Sequence, residues 1–368
     1  VLKDFVVRSR FLMGESCPFT PGWDCHGLPI EHRVMQELVD SGKIQKIASL
    51  PADQGRMAIR RECAKYASKF QKLQTEQMKR LLTLADYDAP YLTMTPDYEE
   101  ATLHVFAELV EQGLVFRDLK PVHWSIANRT ALADAELEYQ DREDPSIFVH
   151  FDAADPSAVG SAFGAELEAV SFMIWTTTPW TLPANLLIAV HPRFEYSLVK
   201  LDGRATVLAT ELVESVAAVE NAQVEELGRV SGSALVDLEY RHAFIDRTGR
   251  IVEADYVTLE DGTGLVHTAP GHGLDDYLTG QQLGVEPYCP VREDGTYDDT
   301  VPDWLQGMDV FAANRVLIER LRESGHMYHD HMFSHSYPHV WRSKTPTIFR
   351  CTEQWFVGVD LPTARDKQ

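Results

Sequence analysis

The spacing of hydrophobic residues predicts helices in the first third of the chain. Apolar residues recur with a helical period at the N-terminus, again from about Pro29, and through a long amphipathic segment over residues 56–80. Another helix is predicted within residues 91–113, where Thr95 suits the N-cap and Gly113 the C-terminal end. Its core-facing stripe is predicted to consist of Leu103, Phe106, Leu109 and Val110. We expect this last helix to be scaffold.

Alternating apolar and polar residues predict β-strands in the middle of the chain. The predicted strands are residues 146–151, 169–175, 187–190, 196–200 and 205–209. Asp202-Gly203 and Asp294-Gly295 are typical of hairpin turns, and residues 141–144 indicate a polar connector. A helix over residues 309–324 interrupts the strands. We therefore predict a separate, mostly β domain over residues 142–330, inserted into an α/β domain.

Residues 172–185, FMIWTTTPWTLPAN, stand out within the β pattern. β-branched and aromatic residues favour an extended backbone, whereas Pro179 and Pro183 exclude a long central strand or a helix. The sequence predicts an extended segment that presents threonine hydroxyls and unpaired backbone groups between Trp175 and Trp180. Such a segment suits a small ligand that has both polar and apolar parts. A threonine-rich edge strand explains the same composition.

Composition and charge limit the class of protein. A chain of 368 residues with 44% hydrophobic residues can bury the cores of two or more domains. No run of about 18 apolar residues predicts a membrane span. Five cysteines that never form a C-x-x-C pair favour reduced, cytosolic thiols; they are Cys17, Cys25, Cys63, Cys289 and Cys351.

The formal net charge of −22 argues against non-specific affinity for nucleic acid. A polyanionic partner would have to be held by a local basic patch. Residues 56–80 offer one, because Lys and Arg far outnumber Glu along this predicted helix. A solvated outer helix face is the simpler interpretation of the same charges.

The segment PGWDCHGLPIEHRV places polar groups at a predicted strand-to-helix junction, the usual position of ligands in α/β folds. Gly22 and Trp23 lead into Asp24, which can pair with a ligand ammonium group. His26 can donate to phosphate or act as an acid or base. A helix-capping aspartate and a buried histidine are the alternative explanation.

A glycine-rich segment, residues 262–277 (GTGLVHTAPGHGLDDY), is the second candidate for ligand binding. Its glycines permit tight turns and close approach of the backbone to a ligand, but the spacing of a phosphate-binding loop is absent. His267 and His272 are too few for a convincing metal site. Asp275 and Asp276 precede an apolar helix and are equally well explained as helix N-terminal carboxylates.

Five histidines fall within residues 326–339, namely His326, His329, His331, His335 and His339. A metal site is one interpretation of this cluster. We favour the other, in which the histidines alternate on strands and on a connector that returns to the first domain.

Taken together, these segments resemble isoleucyl-tRNA synthetases, which are class I aminoacyl-tRNA synthetases. The similar segments occur in the family's order and are PGWDCHGLPIE, PYLTM, KPVHW, WTTTPWTLPAN, GTGLVHTAPGHGLDDY and YPHVWRSKTPTIFRCTEQWFV. Cys25-His26 followed by Pro29-Ile30-Glu31 favours the isoleucine enzymes over those for leucine and valine.

The resemblance implies a fold and a site. The fold is α/β: a partial, Rossmann-like catalytic domain (1–141 and 331–368) with an inserted, mostly β, barrel-like editing domain (142–330). Asp276 would anchor the α-ammonium group of an aminoacyl ester, and His267 would line the side-chain pocket. The opposite wall would be threonine-rich, formed by Thr176, Thr177, Thr178, Trp180, Thr181 and Asn185. Asp24 would hold the ammonium group of the amino acid substrate, beside Gly22, Trp23 and His26.

The resemblance also implies substrates and partners. The full enzyme would join isoleucine to tRNA(Ile) with ATP and Mg²⁺, and its editing domain would hydrolyse Val-tRNA(Ile) without a cofactor. A cytoplasmic monomer that does not bind membranes is expected. The alternatives are a non-catalytic remnant that binds tRNA and a related valine or leucine enzyme.

Two departures from the family pattern qualify these expectations. The HIGH and KMSKS signatures of ATP handling would lie before Val1 and after Gln368, so a fragment that cannot synthesise aminoacyl-tRNA is expected. Ser125 and Asn128 stand where many relatives have a C-x-x-C pair, so no thiolate zinc site is expected there.

Overall fold

The computed structural model describes residues 2–359. Within this range the chain forms two compact units. The N-terminal unit consists of residues 2–116 together with 355–359, and the β unit consists of residues 117–354. None of the helices described is long and apolar enough to cross a membrane.

The N-terminal unit is mainly helical, as the hydrophobic period predicts. Its helices are α1 (Leu2–Leu12), α2 (Leu28–Asp40), α3 (Lys43–Ala48), α4 (Ala52–Arg80) and α5 (Pro96–Glu111). Two short strands, β1 (Gly22–Trp23) and β2 (Tyr91–Leu92), pair in parallel. Helix α2 buries Val34 and Leu38 on the side that faces α4, and α4 buries Ala67.

Helix α5 begins after Thr95 as predicted, and Gly113 adopts a left-handed conformation (φ +70°) just beyond its end. The prediction of a core-facing stripe on this helix is wrong. Leu103 is 67% exposed, and Phe106 and Val110 are also exposed. Helical spacing identifies which face of a helix is apolar, but it does not specify whether another layer covers that face.

The β unit contains a ten-stranded mixed sheet. Its strands are β5 (Leu137–Asp152), β6 (Ser171–Thr176), β7 (Leu187–Val190), β8 (Glu195–Leu201), β9 (Arg204–Ala209), β10 (Val224–Ser231), β11 (Glu239–Arg241), β12 (Thr248–Glu253), β13 (Leu265–Thr268) and β14 (Met327–Val340). The main order is β10-β8-β9-β6-β13-β7-β12-β11, and β5 pairs with both β6 and β14. A separate three-stranded sheet consists of β3 (Val115–Ser125), β4 (Thr130–Ala131) and β15 (Ile348–Val357).

Four helices accompany this sheet: α6 (Pro156–Phe163), α7 (Val213–Glu220), α8 (Leu274–Gln282) and α9 (Val310–Glu323). Asp309 caps α9, since its carboxylate accepts hydrogen bonds from the backbone N–H groups of Phe311 and Ala312. The predicted hairpin turn is confirmed at Asp202-Gly203, which joins β8 to β9 with both residues at positive φ.

Three apolar clusters form the core of the β unit, the smallest of which consists of Leu187, Ala189, Val252 and Val257. The largest includes the fully buried residues Phe151, Phe172, Met173, Ile174, Tyr196, Leu198 and Tyr240. The second includes Trp124, Trp180, Val291, Tyr297, Leu305, Val310 and Leu317. Together these clusters fix the strands and turns that carry the candidate site.

The interpretation of residues 141–144 as a connector is wrong. They lie within β5, where Asp141 pairs with Ser336 and Asp144 with Phe333 of β14. Polar residues fit this part of β5 because the antiparallel ribbon with β14 has exposed positions and Asp144 has charged partners. Its carboxylate lies 3.0 Å from both Arg142 and His335.

The predicted threonine-rich segment also differs from expectation. Strand β6 is an inner strand that pairs with β5, β9 and β13, so the edge-strand alternative is wrong. The strand ends at Thr176, as the prolines predict, but Pro179–Ala184 then forms a 3-10 helix and not an extended segment. Pro179 favours this helix because its fixed φ suits the first helical turn.

Candidate active site

The end of β6 and the neighbouring strand β13 bring the two predicted segments together. The strands pair in parallel through Trp175 and Val266, which places His267 beside the threonine-rich turn. A cavity of about 410 Å³ opens between this turn and the loop that leads into α8. Its polar lining residues include Thr176, Thr177, Thr178, Thr181, Tyr256, His267, His272 and Asp276.

The threonine hydroxyls on one wall of this cavity are linked by short hydrogen bonds. Thr176 Oγ1 accepts from the backbone N–H of Thr178 over 3.0 Å and lies 3.1 Å from Thr178 Oγ1. The Thr181 hydroxyl donates to the carbonyl oxygen of Thr178 over 2.8 Å. These bonds hold three hydroxyl groups in fixed positions at the cavity wall.

His267 lies next to the threonine wall in the cavity lining, and both its ring nitrogens form hydrogen bonds. Because the Thr181 hydroxyl proton is donated to Thr178, the 2.9 Å contact requires His267 Nε2–H to donate to Thr181 Oγ1. The Asn185 side-chain amide then donates to His267 Nδ1 over 2.8 Å. Burial, reinforced by the nearby rings of His242 and His272, lowers the pKa of His267 to about 3. His267 is therefore a neutral positioning group.

Asn185 continues this hydrogen-bonded chain into the core. Its Oδ1 accepts from the Tyr240 hydroxyl over 2.6 Å, and its Nδ2 also donates to the Leu187 carbonyl over 3.0 Å. Arg247 donates to the carbonyl oxygens of Asn185 (3.0 Å) and Pro183 (2.9 Å), which ties down the end of the 3-10 helix. The side chain of Asn185 supports the wall from behind and does not line the cavity.

The structure distinguishes the two neighbouring aspartates at the start of α8. Asp276 lines the cavity and accepts a hydrogen bond from the backbone N–H of Ala269 over 2.7 Å. Burial raises the pKa of Asp276 to about 6 despite that hydrogen bond. Asp275 is exposed and is not among the residues that line the cavity.

Gly273 provides the space that the Asp276 carboxylate occupies. A Cβ atom at position 273 would lie 2.9 Å from Asp276 Cγ, which is closer than side chains tolerate. A side chain at position 273 would therefore displace the Asp276 carboxylate, although the φ of −147° is one that any residue can adopt.

Trp180 is buried and lies in the second core cluster, not on the cavity surface. Its ring meets the ring of His272 edge to face at 5.1 Å between centroids, and His272 does line the cavity. Trp180 thus supports the lining indirectly.

The second predicted site lies in the N-terminal unit. Asp24 is exposed and its carboxylate accepts from the backbone N–H of His26 (3.2 Å), while the Trp23 ring donates to Gln74 (2.8 Å). The His26 ring lies 3.1 Å from the Thr93 carbonyl oxygen. His26 is exposed and α2 is preceded by Gly27, so the alternative of a buried histidine and a helix-capping aspartate is wrong.

Gly22 lies against the Tyr91 ring, since a Cβ at this position would be 3.1 Å from it. His26 borders a cavity of about 640 Å³ together with Cys25, Arg56, Arg60 and Glu99. Of the predicted substrate-binding residues in this unit, His26 lines this cavity, whereas Gly22, Trp23 and Asp24 do not. Their role stays a prediction.

Sequence reasoning did not identify Tyr240, Arg247 or Tyr256 as parts of the site. Tyr240 and Arg247 lie 55 and 62 residues from Asn185 along the chain. No local motif marks them. A buried tyrosine requires a hydrogen-bond partner, but only the fold reveals which one.

The histidines near the end of the chain lie mainly along β14, as expected. His329 pairs with Glu220 over 2.6 Å, and the rings of His329 and His331 are 5.3 Å apart. Over the part of the chain that the structure describes, no three His, Cys, Asp or Glu side chains are grouped so as to hold a metal ion.

Comparison with known proteins shows the class to which the chain belongs. It belongs to the family of class I tRNA synthetases for isoleucine, leucine, methionine and valine, whose family model matches residues 1–366. The isoleucine–tRNA ligase of Persephonella marina is 43% identical over 360 residues, covering 98% of this chain and 37% of the relative. That of Thermotoga neapolitana is 45% identical over 370 residues, covering 100% of this chain and 38% of the relative.

The chain therefore spans a little over a third of the length of these relatives. Among solved structures, the editing domain of the P. knowlesi cytosolic leucyl-tRNA synthetase has a TM-score of 0.44 at 11% identity. That similarity covers 53% of this chain and 97% of the neighbour.

Proposed function

We propose that this chain is part of an isoleucyl-tRNA synthetase and that the cavity of the β unit hydrolyses Val-tRNA(Ile). The observation that carries this proposal is the carboxylate of Asp276, which lines the same cavity as the hydrogen-bonded threonine hydroxyls. The carboxylate can bind a free ammonium group, and the threonine hydroxyls can bind an ester and a water molecule. The inserted editing domain would extend over residues 142–330 within the β unit.

Asp276 is the anchor for the substrate's α-ammonium group in this proposal. A charge-assisted hydrogen bond selects an aminoacyl ester over a peptide or an acylated amine. Because the pKa of Asp276 is raised to about 6, the carboxylate is ionised at neutral pH and becomes protonated in mildly acidic solution. The amino group of the substrate remains protonated over the same range.

The threonine wall positions the reacting groups. Hydroxyls of Thr176, Thr177 and Thr178 are placed to bind water and the ester carbonyl oxygen, and donors aimed at that oxygen stabilise the tetrahedral intermediate. Water adds to the carbonyl carbon, the bond to the ribose oxygen breaks, and a proton passes to that oxygen. Valine and free tRNA are the products.

Direct attack by water fits the cavity better than a covalent intermediate does. His267, the histidine bonded to the threonine wall, already has both ring nitrogens engaged, and its low pKa makes it a poor general base for a threonine nucleophile. A threonine nucleophile activated by this histidine would require the hydrogen bond between them to run in the opposite direction.

Editing is needed because isoleucine and valine differ by one methylene. One methylene contributes only about 1–3 kcal/mol to binding, which limits how well a single site can distinguish two amino acids, and isoleucine and valine are the standard example. A second site that admits valine and excludes isoleucine removes the errors. Thr181 and His267 would set the size of that site on the side of the amino acid side chain.

In the full enzyme we propose ATP-dependent ligation of isoleucine to tRNA(Ile) in the cytoplasm by a monomer. Asp24, with Gly22, Trp23 and His26, would bind isoleucine, and Mg²⁺ would neutralise the charge of the ATP phosphates. The described residues provide no metal-binding cluster.

The experiment that tests this function compares hydrolysis of Val-tRNA(Ile) and Ile-tRNA(Ile) by the 368-residue chain. Faster loss of valine is expected. Equal loss of both would contradict the proposed sieve. No loss of either, from a chain shown to be folded by circular dichroism, would favour a non-catalytic tRNA-binding protein. Preference for a mischarged tRNA(Leu) or tRNA(Val) would favour the related enzymes.

A further inference from the structure

Cys289 packs directly against the loop that carries His272 on the cavity wall. A Cβ atom at Gly271 would lie 2.2 Å from the carbonyl oxygen of Tyr288 and 3.0 Å from Cys289 Cβ. The absence of a side chain at Gly271 is what permits this approach. Cys289 is partly exposed and is not part of a disulfide.

One ring nitrogen of His272 has no hydrogen-bond partner among the residues that the structure describes. Nδ1 donates to the carbonyl oxygen of Phe349 over 2.8 Å, so in the neutral ring Nε2 carries the lone pair. His272 is 8% exposed, and its Nε2 makes no hydrogen bond of ordinary geometry within the described residues. A buried acceptor without a partner is costly. The thiol of Cys289 donates only a long hydrogen bond, of 4.0 Å, to the carbonyl oxygen of Val291, so its proton is weakly held.

The electrostatics of Cys289 and His272 are consistent with proton sharing. Burial opposes ionisation of Cys289, but the adjacent His272, with smaller contributions from the Val291 backbone and Arg350, lowers the pKa of the thiol below its ordinary value. Burial also opposes the charging of His272, yet Cys289, the Phe349 carbonyl and Asp276 together raise its pKa. Each group thus stabilises the charged form of the other.

We propose that Cys289 is a reactive thiol and a site of modification by peroxides and soft electrophiles, with His272 as the group that accepts its proton. With hydrogen peroxide, the sulfur attacks one oxygen as the O–O bond breaks. The thiol is oxidised to a sulfenic acid, and the peroxide is reduced to water. With iodoacetamide, an S–C bond forms, iodide leaves, and the thiol proton passes through His272 to solvent.

Modification would also affect the cavity, and this part rests on the proposed function. His272 and Asp276 both line the cavity, and each shifts the pKa of the other. A sulfenic acid or a carbamidomethyl group on Cys289 cannot supply the thiolate that favours protonated His272. Asp276 would lose a neighbouring positive charge, so binding of the substrate's ammonium group would change.

Thiol reactivity tests the chemistry without any reference to editing. The wild-type chain is treated with iodoacetamide between pH 5.5 and 8.5, and alkylation of each cysteine is followed by mass spectrometry. Cys63 is the internal reference, since it is also partly exposed but burial, together with Glu31, raises its pKa. At pH 6.5 Cys289 is expected to react at least about fivefold faster than Cys63.

Matched variants assign the effect to His272. His272→Asn should slow alkylation of Cys289 by about fivefold or more at pH 6.5 and leave Cys63 unchanged. In the wild type, equal rates at Cys289 and Cys63 at pH 6.5 would overturn the proposal even if the variant fails to fold. A Cys289 rate that is unchanged in a folded His272→Asn chain would overturn the role of His272.

Deacylation then separates this proposal from the proposed function. Peroxide treatment should reduce hydrolysis of Val-tRNA(Ile) in the wild type and in Cys351→Ser, but not in Cys289→Ser. Cys351 is the control because it is buried and burial raises its pKa to about 12. Rapid modification of Cys289 in a chain that never hydrolyses Val-tRNA(Ile) would contradict the editing function while leaving the reactive thiol established.

Discussion

His267 Nε2 donates a hydrogen bond to Thr181 Oγ1 over 2.9 Å. This bond joins strand β13 to the 3-10 helix that follows β6, although the two residues are 86 positions apart in the chain. The direction of the bond is fixed because the Thr181 hydroxyl donates to Thr178. This hydrogen bond makes His267 a support for the threonine wall.

Thr181→Val should impair both folding and editing. Valine keeps the shape of the side chain but cannot accept from His267 or donate to Thr178. A buried imidazole N–H left without a partner should lower the free energy of unfolding by about 1–3 kcal/mol. Urea denaturation measures this loss. Thr177→Val is the matched control for stability, and a Thr181→Val chain as stable as the wild type would contradict the assigned hydrogen bonds.

Tyr240→Phe should destabilise the β unit without touching the cavity surface. The substitution leaves Asn185 Oδ1 without its donor in a buried environment. We expect a loss of about 1–2 kcal/mol in the free energy of unfolding. Tyr139→Phe, at an exposed tyrosine on β5, serves as control and should change stability by less than about 0.5 kcal/mol.

Arg247→Lys should reduce deacylation because one ammonium group cannot replace the two guanidinium contacts to Pro183 and Asn185. A several-fold loss in kcat with little change in stability is expected, since the 3-10 helix would become less well positioned. Arg250→Lys is the control, as Arg250 forms an exposed ion pair with Asp237. Equal activity of both variants would show that Arg247 does not position the wall.

The pH dependence of deacylation should report Asp276. Its pKa is raised to about 6, so kcat/KM for Val-tRNA(Ile) should fall as the pH drops through 6. Asp276→Asn should abolish this inflection together with most of the activity. A wild-type profile that is flat down to pH 5 would contradict ionisation of Asp276 in this range.

The raised pKa of Asp276 also predicts how the free energy of unfolding depends on pH. This dependence is opposite to that of an ion-paired carboxylate, whose pKa is lowered on folding. A carboxyl group with a pKa raised on folding binds its proton more tightly in the folded state than in the unfolded state. The contribution of Asp276 is therefore most favourable below about pH 4 and is lost as the pH rises through 6. At pH 8, Asp276→Asn should be more stable than the wild type, and this difference should vanish near pH 4.

The sequence predicted strands that correspond to β5 to β9, because runs of apolar and β-branched residues mark a strand and the Asp202-Gly203 pair marks the turn between β8 and β9. It also identified the segments that line the cavity. It did not predict β10 to β13. Composition alone does not show which of Asp275 and Asp276 lines the cavity, because this depends on which side of the first turn of α8 faces the loop. Tyr240 and Arg247 were missed since their contacts depend on residues distant in the chain.

Two errors have a common physical origin. The apolar stripe of α5 and the polar stretch at residues 141–144 were interpreted from local pattern alone. An apolar helix face is buried only if another element covers it, and Leu103 and Phe106 are exposed. A polar stretch can continue a strand if its charges are paired, as Asp144 is with Arg142 and His335.

The most direct test of the central claim is the rate of hydrolysis of Val-tRNA(Ile) by the wild type, Asp276→Asn and Asp275→Asn. The two substitutions make the same chemical change at adjacent positions, one lining the cavity and one exposed. Loss of a charge-assisted hydrogen bond should slow Asp276→Asn by roughly 10- to 100-fold, whereas Asp275→Asn should retain nearly full activity. Equal rates for the two variants would contradict the assignment of Asp276 as the anchor of the substrate's ammonium group.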